Sequence, residues 1–141
     1  MEISMTRETG IRLPKKSLIR TAKLALRKVN CDDASINVCF VKDGTIKKLN
    51  KLHRGKNYAT DVLSFGVPKG FPKCSTYIGD IIISVDTAAK NAKDDKRSLT
   101  MELQELLAHG ILHLCGYDHC DKMFRLQKRI MKEVLSHKWK A

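Results

Sequence analysis

Three of the five histidines of this chain fall within eleven residues, in the string His109-Gly-Ile-Leu-His113-Leu-Cys-Gly-Tyr-Asp-His119. His109 and His113 are one helical turn apart, so their rings leave the same face of a helix. Gly116 is placed to end that helix in the left-handed conformation that only glycine adopts cheaply. The chain beyond it can then fold back and bring His119 toward the other two rings. Three neutral imidazoles with a fourth position left to water make up a catalytic zinc site. An ion held in this way lowers the pKa of a bound water to about 7 and polarises a phosphoryl or carbonyl oxygen. The expectation is one Zn²⁺ on His109, His113 and His119, a set that also accepts Ni²⁺, Co²⁺ or Cu²⁺. A single histidine on an apolar helix face is usually a packing residue. The third histidine beyond the glycine separates this string from that reading.

The spacing is similar to that of the metzincin proteases, which place Glu directly after the first histidine as general base. Here that position is Gly110, so peptide hydrolysis ranks below the other chemistries. Cys115 lies about 200° around the helix from His113 and points away from the histidine face. Cys120 adjoins His119 and stays a candidate ligand; for both cysteines the alternative is a small buried residue. Glu102 and Glu105, two turns and one turn before His109, are either partners that hold a histidine from behind or members of local salt bridges. Asp118 either orients a histidine or caps the helix that follows. Asp61 reads as a turn residue at a strand start. Lys56 can bind a phosphate, and Tyr58 either stacks on a base or packs. His53 and His137 have no partner pattern and are expected at the surface.

The elements that must position these residues follow from periodicity. Residues 2–6 alternate weakly and predict a short strand. An amphipathic helix over about 14–30 carries Leu18, Ala22, Ala25 and Val29 inward, with Pro14 in its first turn. Ser35 to Val41 alternates as a strand. Asp43 is expected to cap a short helix whose stripe is Ile46, Leu49 and Leu52. A polar loop, 53–60, leads to a strand over 61–65, and the proline- and glycine-bearing residues 66–76 predict a turn. Tyr77 to Val85, with Ile81, Ile82 and Ile83 in succession, predicts a strand buried on both faces. A short helix over 86–94 precedes a long one from Leu99 to Cys115, apolar at 99, 103, 106, 107, 111 and 114. Asp121 starts a last helix with Met123, Leu126, Ile130 and Val134 inward. The order β-α-β-α-β-β-α-α-α predicts an α+β fold: a single domain over 1–141, with a small mixed four-stranded sheet packed with helices and two metal-ligand histidines on a central helix.

With 27 Lys and Arg against 15 Asp and Glu, the net charge is +12. The basic residues are spread along the chain, and their sum points to a polyanionic partner, nucleic acid above all. Five cysteines without a C-x-x-C pair argue against a disulfide framework and for a reducing compartment. No apolar run approaches the ~20 residues that span a bilayer. The first residues lack the charged-then-apolar pattern of a signal peptide. A cytoplasmic protein without membrane contact is expected.

Residues 109–119 match every fixed position of the string H-G-x-L-H-L-x-G-Y-D-H of the YbeY family of bacterial endoribonucleases. Arg54-Gly-Lys-Asn-Tyr-Ala-Thr-Asp-Val-Leu-Ser-Phe65 resembles the family's R-G-x-x-x-x-T-D-V-L-S-F block, and Gly79-Asp80 is a third, weaker match. The resemblance implies His109, His113 and His119 as zinc ligands and Arg54 as a catalytic or phosphate-binding residue, with His109 and His113 in the same catalytic cleft. A fixed guanidinium suits that role, since it grips a phosphate through two donors. The function implied is a zinc-dependent, single-strand-specific endoribonuclease of rRNA processing and ribosome maturation, acting on rRNA with a ribosome or ribosomal protein as partner. The alternative is a non-catalytic assembly factor that binds rRNA or the ribosome and keeps a structural metal. A fourth protein ligand, such as Cys120, would close the site and favour that alternative; an open position facing a basic cleft would favour catalysis.

Overall fold

The computed structural model describes residues 1–67, 76–118 and 120–136. Their elements follow the expected order: β1 (Glu2–Arg7), α1 (Lys15–Lys28), β2 (Ser35–Val41), α2 (Asp43–Arg54), β3 (Val62–Gly66), β4 (Tyr77–Ser84), α3 (Val85–Asp94), α4 (Leu99–Leu114) and α5 (Asp121–Val134). The four strands form one mixed sheet in the order β1-β2-β4-β3. β1, β2 and β4 run parallel, and β3 pairs antiparallel with β4 along the edge. The expected α+β fold with a four-stranded mixed sheet is what forms.

Strand side chains alternate between faces, and both faces of this sheet are covered. Ile36, Val38 and Phe40 of β2 and Ile81 and Ile83 of β4 enter the main core with Leu18, Leu26, Leu103, Leu107 and Ile111. The intervening Val41, Ile82 and Leu63 form a second, smaller cluster under Ile46 of α2. This is why three consecutive isoleucines are all buried in β4, as the sequence predicts. It also separates the helices: α4 lies on one face of the sheet and α2 on the other.

α4 is the central helix, packed against α1, α3, α5, β3 and β4. Ser98 caps it by accepting from the Met101 backbone N–H at 3.1 Å. Gly110 sits where α4 presses on the sheet: a Cβ there would lie 2.9 Å from Ile81 Cγ2. The helix closes at Gly116, whose φ is +91°. The Gly116 N–H donates to His113 O and the Tyr117 N–H to Leu112 O, both at 3.0 Å, which is the paired C-terminal closure that a left-handed glycine permits.

Several local expectations are corrected. Asp43 is the first residue of α2 and not its cap; Lys42 holds the cap position without a side-chain bond. The Asp43 carboxylate instead accepts from Thr87 Oγ1 at 2.6 Å and Ser84 Oγ at 2.7 Å. Those two hydroxyls hold its pKa below the usual carboxylate value and tie the start of α2 to the β4–α3 junction. Leu52, assigned to the inward stripe, is 76% exposed, and Leu99 is also exposed. The apolar face of α2 packs on the small second cluster, to which it contributes Ile46 and Leu49. Cys120 is exposed rather than buried, because it is the residue before α5. It also takes the cap position considered for Asp118. Of the expected turn over 66–76, residues 68–75 lie outside the described residues, as do His119 and His137.

Candidate active site

A cleft of about 520 Å³ opens along the β3 edge of the sheet. Arg54, Lys56, Tyr58, Asp61 and Ser64 line it from the α2–β3 side, and His109, His113 and Leu114 from α4. Residues 45 or more apart in sequence thus share one cavity, because α2 ends at the same edge on which α4 presents its histidine face.

Arg54 is the last residue of α2, and Gly55 ends the helix with φ +68°. The guanidinium donates from Nη2 to Ser64 O at 3.2 Å and stands 5.9 Å from the centroid of the Phe65 ring. These contacts aim an exposed side chain along β3. The loop that follows is pinned by Asn50, a buried amide that donates from Nδ2 to Tyr58 O at 2.9 Å. Asp61 accepts from Thr60 Oγ1 at 3.4 Å and from Asn91 Nδ2 at 3.3 Å. It therefore lines the cleft rather than serving only as a turn residue. His53 is exposed, as expected, but packs against Phe65 with ring centroids 5.0 Å apart.

The His109 and His113 rings meet edge to face with centroids 4.8 Å apart. Two imidazoles bound to one tetrahedral ion through nitrogens at the usual zinc distance have centroids about 5 Å apart, so the pair fits a shared cation. Among the described residues no group of three His, Cys, Asp or Glu side chains gathers around a common point; His119 lies outside them. His109 Nδ1 is 2.8 Å from Gln127 Oε1 of α5. Gln127 Nε2 donates in turn to Glu105 Oε1 at 3.4 Å. Glu105 also pairs with Arg97, which binds Glu102 through Nε at 3.0 Å and Nη2 at 2.7 Å.

The two glutamates thereby part ways. Glu102 is a buried salt-bridge partner of Arg97, whereas Glu105 reaches His109 through Gln127. Cys115 points away from the histidines, as expected: its Sγ is 3.4 Å from Cys31 Sγ, and burial pushes its thiol up to about 12. Asp80 accepts from the Tyr77 hydroxyl and is not among the residues that line the cleft. Gly79 explains the third sequence match in structural terms. Its φ is +148°, and a Cβ would fall 2.4 Å from Phe65 O and 2.6 Å from Leu114 Cδ2.

Sequence reasoning missed Asn50 and Gln127. Both are side-chain amides at an i+4 position on an apolar stripe, after Ile46 and Met123 respectively. A neutral polar residue in such a place is the signal that was available.

The sequence profile of endoribonuclease YbeY matches residues 3–135 of this chain. The chain belongs to the YbeY family. An endoribonuclease YbeY of Persephonella marina is 37% identical over 143 residues, spanning 96% of this chain and 94% of its own length. One from an Anaeromyxobacter species is 48% identical over 87 residues, 62% of this chain; the match spans only 45% of that relative's length. The solution structure of a Thermotoga maritima protein superposes with a TM-score of 0.66 at 31% identity, over 94% of this chain and 88% of that one. All three family motifs read from the sequence lie within the matched region. The motif residues Arg54, His109 and His113 meet at one cleft, while Gly79 lets β4 approach β3 and α4.

Proposed function

We propose that this chain is a zinc-dependent endoribonuclease that cleaves single-stranded RNA, with rRNA in ribosome maturation as its substrate class. The observation that carries the proposal is the convergence of Arg54 with His109 and His113 on one cleft, in a chain of net charge +12. Family membership supports an RNA phosphodiester as the bond attacked. Zinc, when bound, supplies a Lewis acid beside the phosphate and a water of lowered pKa. His109 and His113, with His119, are the side chains that would hold it.

The protein side of the reaction is positioning and charge. Arg54 is fixed by Ser64 and Phe65 with donors to spare. Its planar fork grips two non-bridging phosphate oxygens and offsets the charge that builds on them in the transition state. Lys56 lines the same wall and holds the neighbouring phosphate as a point charge. Tyr58, 53% exposed at the rim, offers a face on which an unpaired base can stack. A duplex keeps its bases stacked inward and cannot use that face, which favours single strands. Peptide hydrolysis is disfavoured because the position where a protease carries its base is Gly110, which has no carboxylate and is pressed against the Ile81 side chain.

The deciding experiment is cleavage of end-labelled single-stranded RNA by the purified chain, with chelator, with zinc returned, and with His113→Ala. The expected outcome is cleavage that chelation abolishes, zinc restores and the substitution removes. Cleavage indifferent to both metal removal and His113→Ala would refute the proposal.

A further inference from the structure

We infer that Gln127 is a positioning residue for His109: it holds the imidazole in the Nδ1–H tautomer and so turns the Nε2 lone pair into the cleft. The inference rests on the reading of His109 as a metal ligand, but its structural content can be checked without metal.

The argument runs through donors and acceptors from the far end. Arg97 is a donor only, and it engages both Glu102 and Glu105. An ion-paired carboxylate accepts and does not donate. Glu105 Oε1 therefore faces the NH₂ of Gln127, at 3.4 Å, and the amide has one orientation that satisfies both neighbours. That orientation turns Oε1 to His109 Nδ1, at 2.8 Å. A carbonyl oxygen only accepts, so Nδ1 carries the hydrogen. In a neutral imidazole the lone pair is then on Nε2, the nitrogen through which this ring would bind a cation. Without such a partner both tautomers are populated and the ring turns more freely. A ligand oriented through its second nitrogen by an outer partner binds metal roughly tenfold to a hundredfold more tightly.

The relay spans three parts of the fold. Arg97 precedes α4, Glu105 and His109 lie one turn apart on α4, and Gln127 reaches across from α5. Docking of α5 on α4 is thereby coupled to the tautomer of a cleft histidine. Gln127 is a neutral acceptor, so it selects the tautomer without adding a negative charge beside the ring.

Two readouts test this. Long-range ¹H–¹⁵N correlation of metal-free protein, at a pH where the imidazoles are neutral, reports which nitrogen of His109 carries hydrogen. The expected result is Nδ1–H in the wild type and a tautomer mixture in Gln127→Met, which keeps the volume and removes the acceptor. Competition with a chromophoric zinc chelator should give roughly tenfold or more weaker binding for Gln127→Met. The swapped pair Glu105→Gln with Gln127→Glu, which again offers His109 an acceptor, should recover most of it. Nε2–H at His109 in the wild type overturns the inference without need of any variant. So does a folded Gln127→Met with an unchanged tautomer and zinc affinity. A wild-type chain that binds no zinc overturns the metal reading alone, and the tautomer comparison still decides the role of Gln127.

Discussion

Arg54 and His109 show two ways in which a polar side chain is aimed. Arg54 is exposed and gains its direction from one carbonyl and one aromatic ring, Ser64 O and Phe65. His109 is half-buried and gains its direction from a chain of bonds through Gln127 and Glu105 to Arg97. The consequences of substitution differ accordingly. Arg54→Ala should leave the thermal midpoint almost unchanged, since an exposed arginine contributes little to folding. It should still lower RNA cleavage by roughly a hundredfold to a thousandfold, as loss of a transition-state donor does. Arg54→Lys keeps the charge but not the fork and should recover only a small part of that loss. Single-turnover cleavage rates beside melting curves check this; a lysine variant as fast as wild type would remove the bidentate role.

At the level of elements, the site depends on how closely α4 approaches the sheet. Gly110 and Gly79 are two points of close approach, one on the helix and one on β4. At Gly110 the obstacle to a side chain is Ile81, a side chain that can shift by a few tenths of an ångström. At Gly79 the obstacle is the Phe65 carbonyl, and the φ of +148° adds backbone strain for any other residue. Gly79→Ala is therefore expected to be the more damaging change, destabilising the fold by about 2 kcal/mol or more. That corresponds to a fall in Tm of roughly 5 °C or more. Because Gly79 faces Gly66 across the β3–β4 ladder, the same change should disturb the edge strand that Arg54 leans on. Thermal unfolding of Gly79→Ala beside Gly110→Ala checks the ranking; a Gly79→Ala chain as stable as wild type would remove the close-approach argument.

For the whole molecule, the proposed RNA substrate sets a polyanion against a net charge of +12, and α2 carries Lys47, Lys48 and Lys51 exposed ahead of Arg54 and Lys56, which line the cleft. Each phosphate neutralised on a single strand releases counterion, with a slope of log K against log salt of about −0.7 per contact. Three to five contacts along this surface give an expected slope of roughly −2 to −4 for single-stranded RNA. A flat dependence, measured by filter binding or anisotropy across a salt series, would mean that the charge is not the RNA track. Among the described residues no helix is long and apolar enough to cross a membrane.

The types and order of the elements, the sheet's two-sided burial and the pairing of His109 with His113 were all legible in the chain, because each is a matter of short-range spacing. Periods of two and of three to four residues place side chains on faces, and a glycine past a helix end marks its stop. The string 109–119 and the block 54–65 also carried family membership. Apart from Arg54 and the histidines, which the family resemblance put in one cleft, what the chain did not reveal was which distant residues meet. Gln127 lies eighteen residues beyond His109, and Asn50 serves a loop rather than its own helix. Leu52 looked like core because its spacing was right, yet α2 had too little apolar surface opposite it. That Arg54 and the histidines share one cleft depended on α2 and α4 lying on opposite faces of the sheet and ending at the same edge. Local sequence sets the direction of a side chain from its own element. Only packing of the elements sets what it points at, because that depends on contacts between residues with no fixed spacing along the chain.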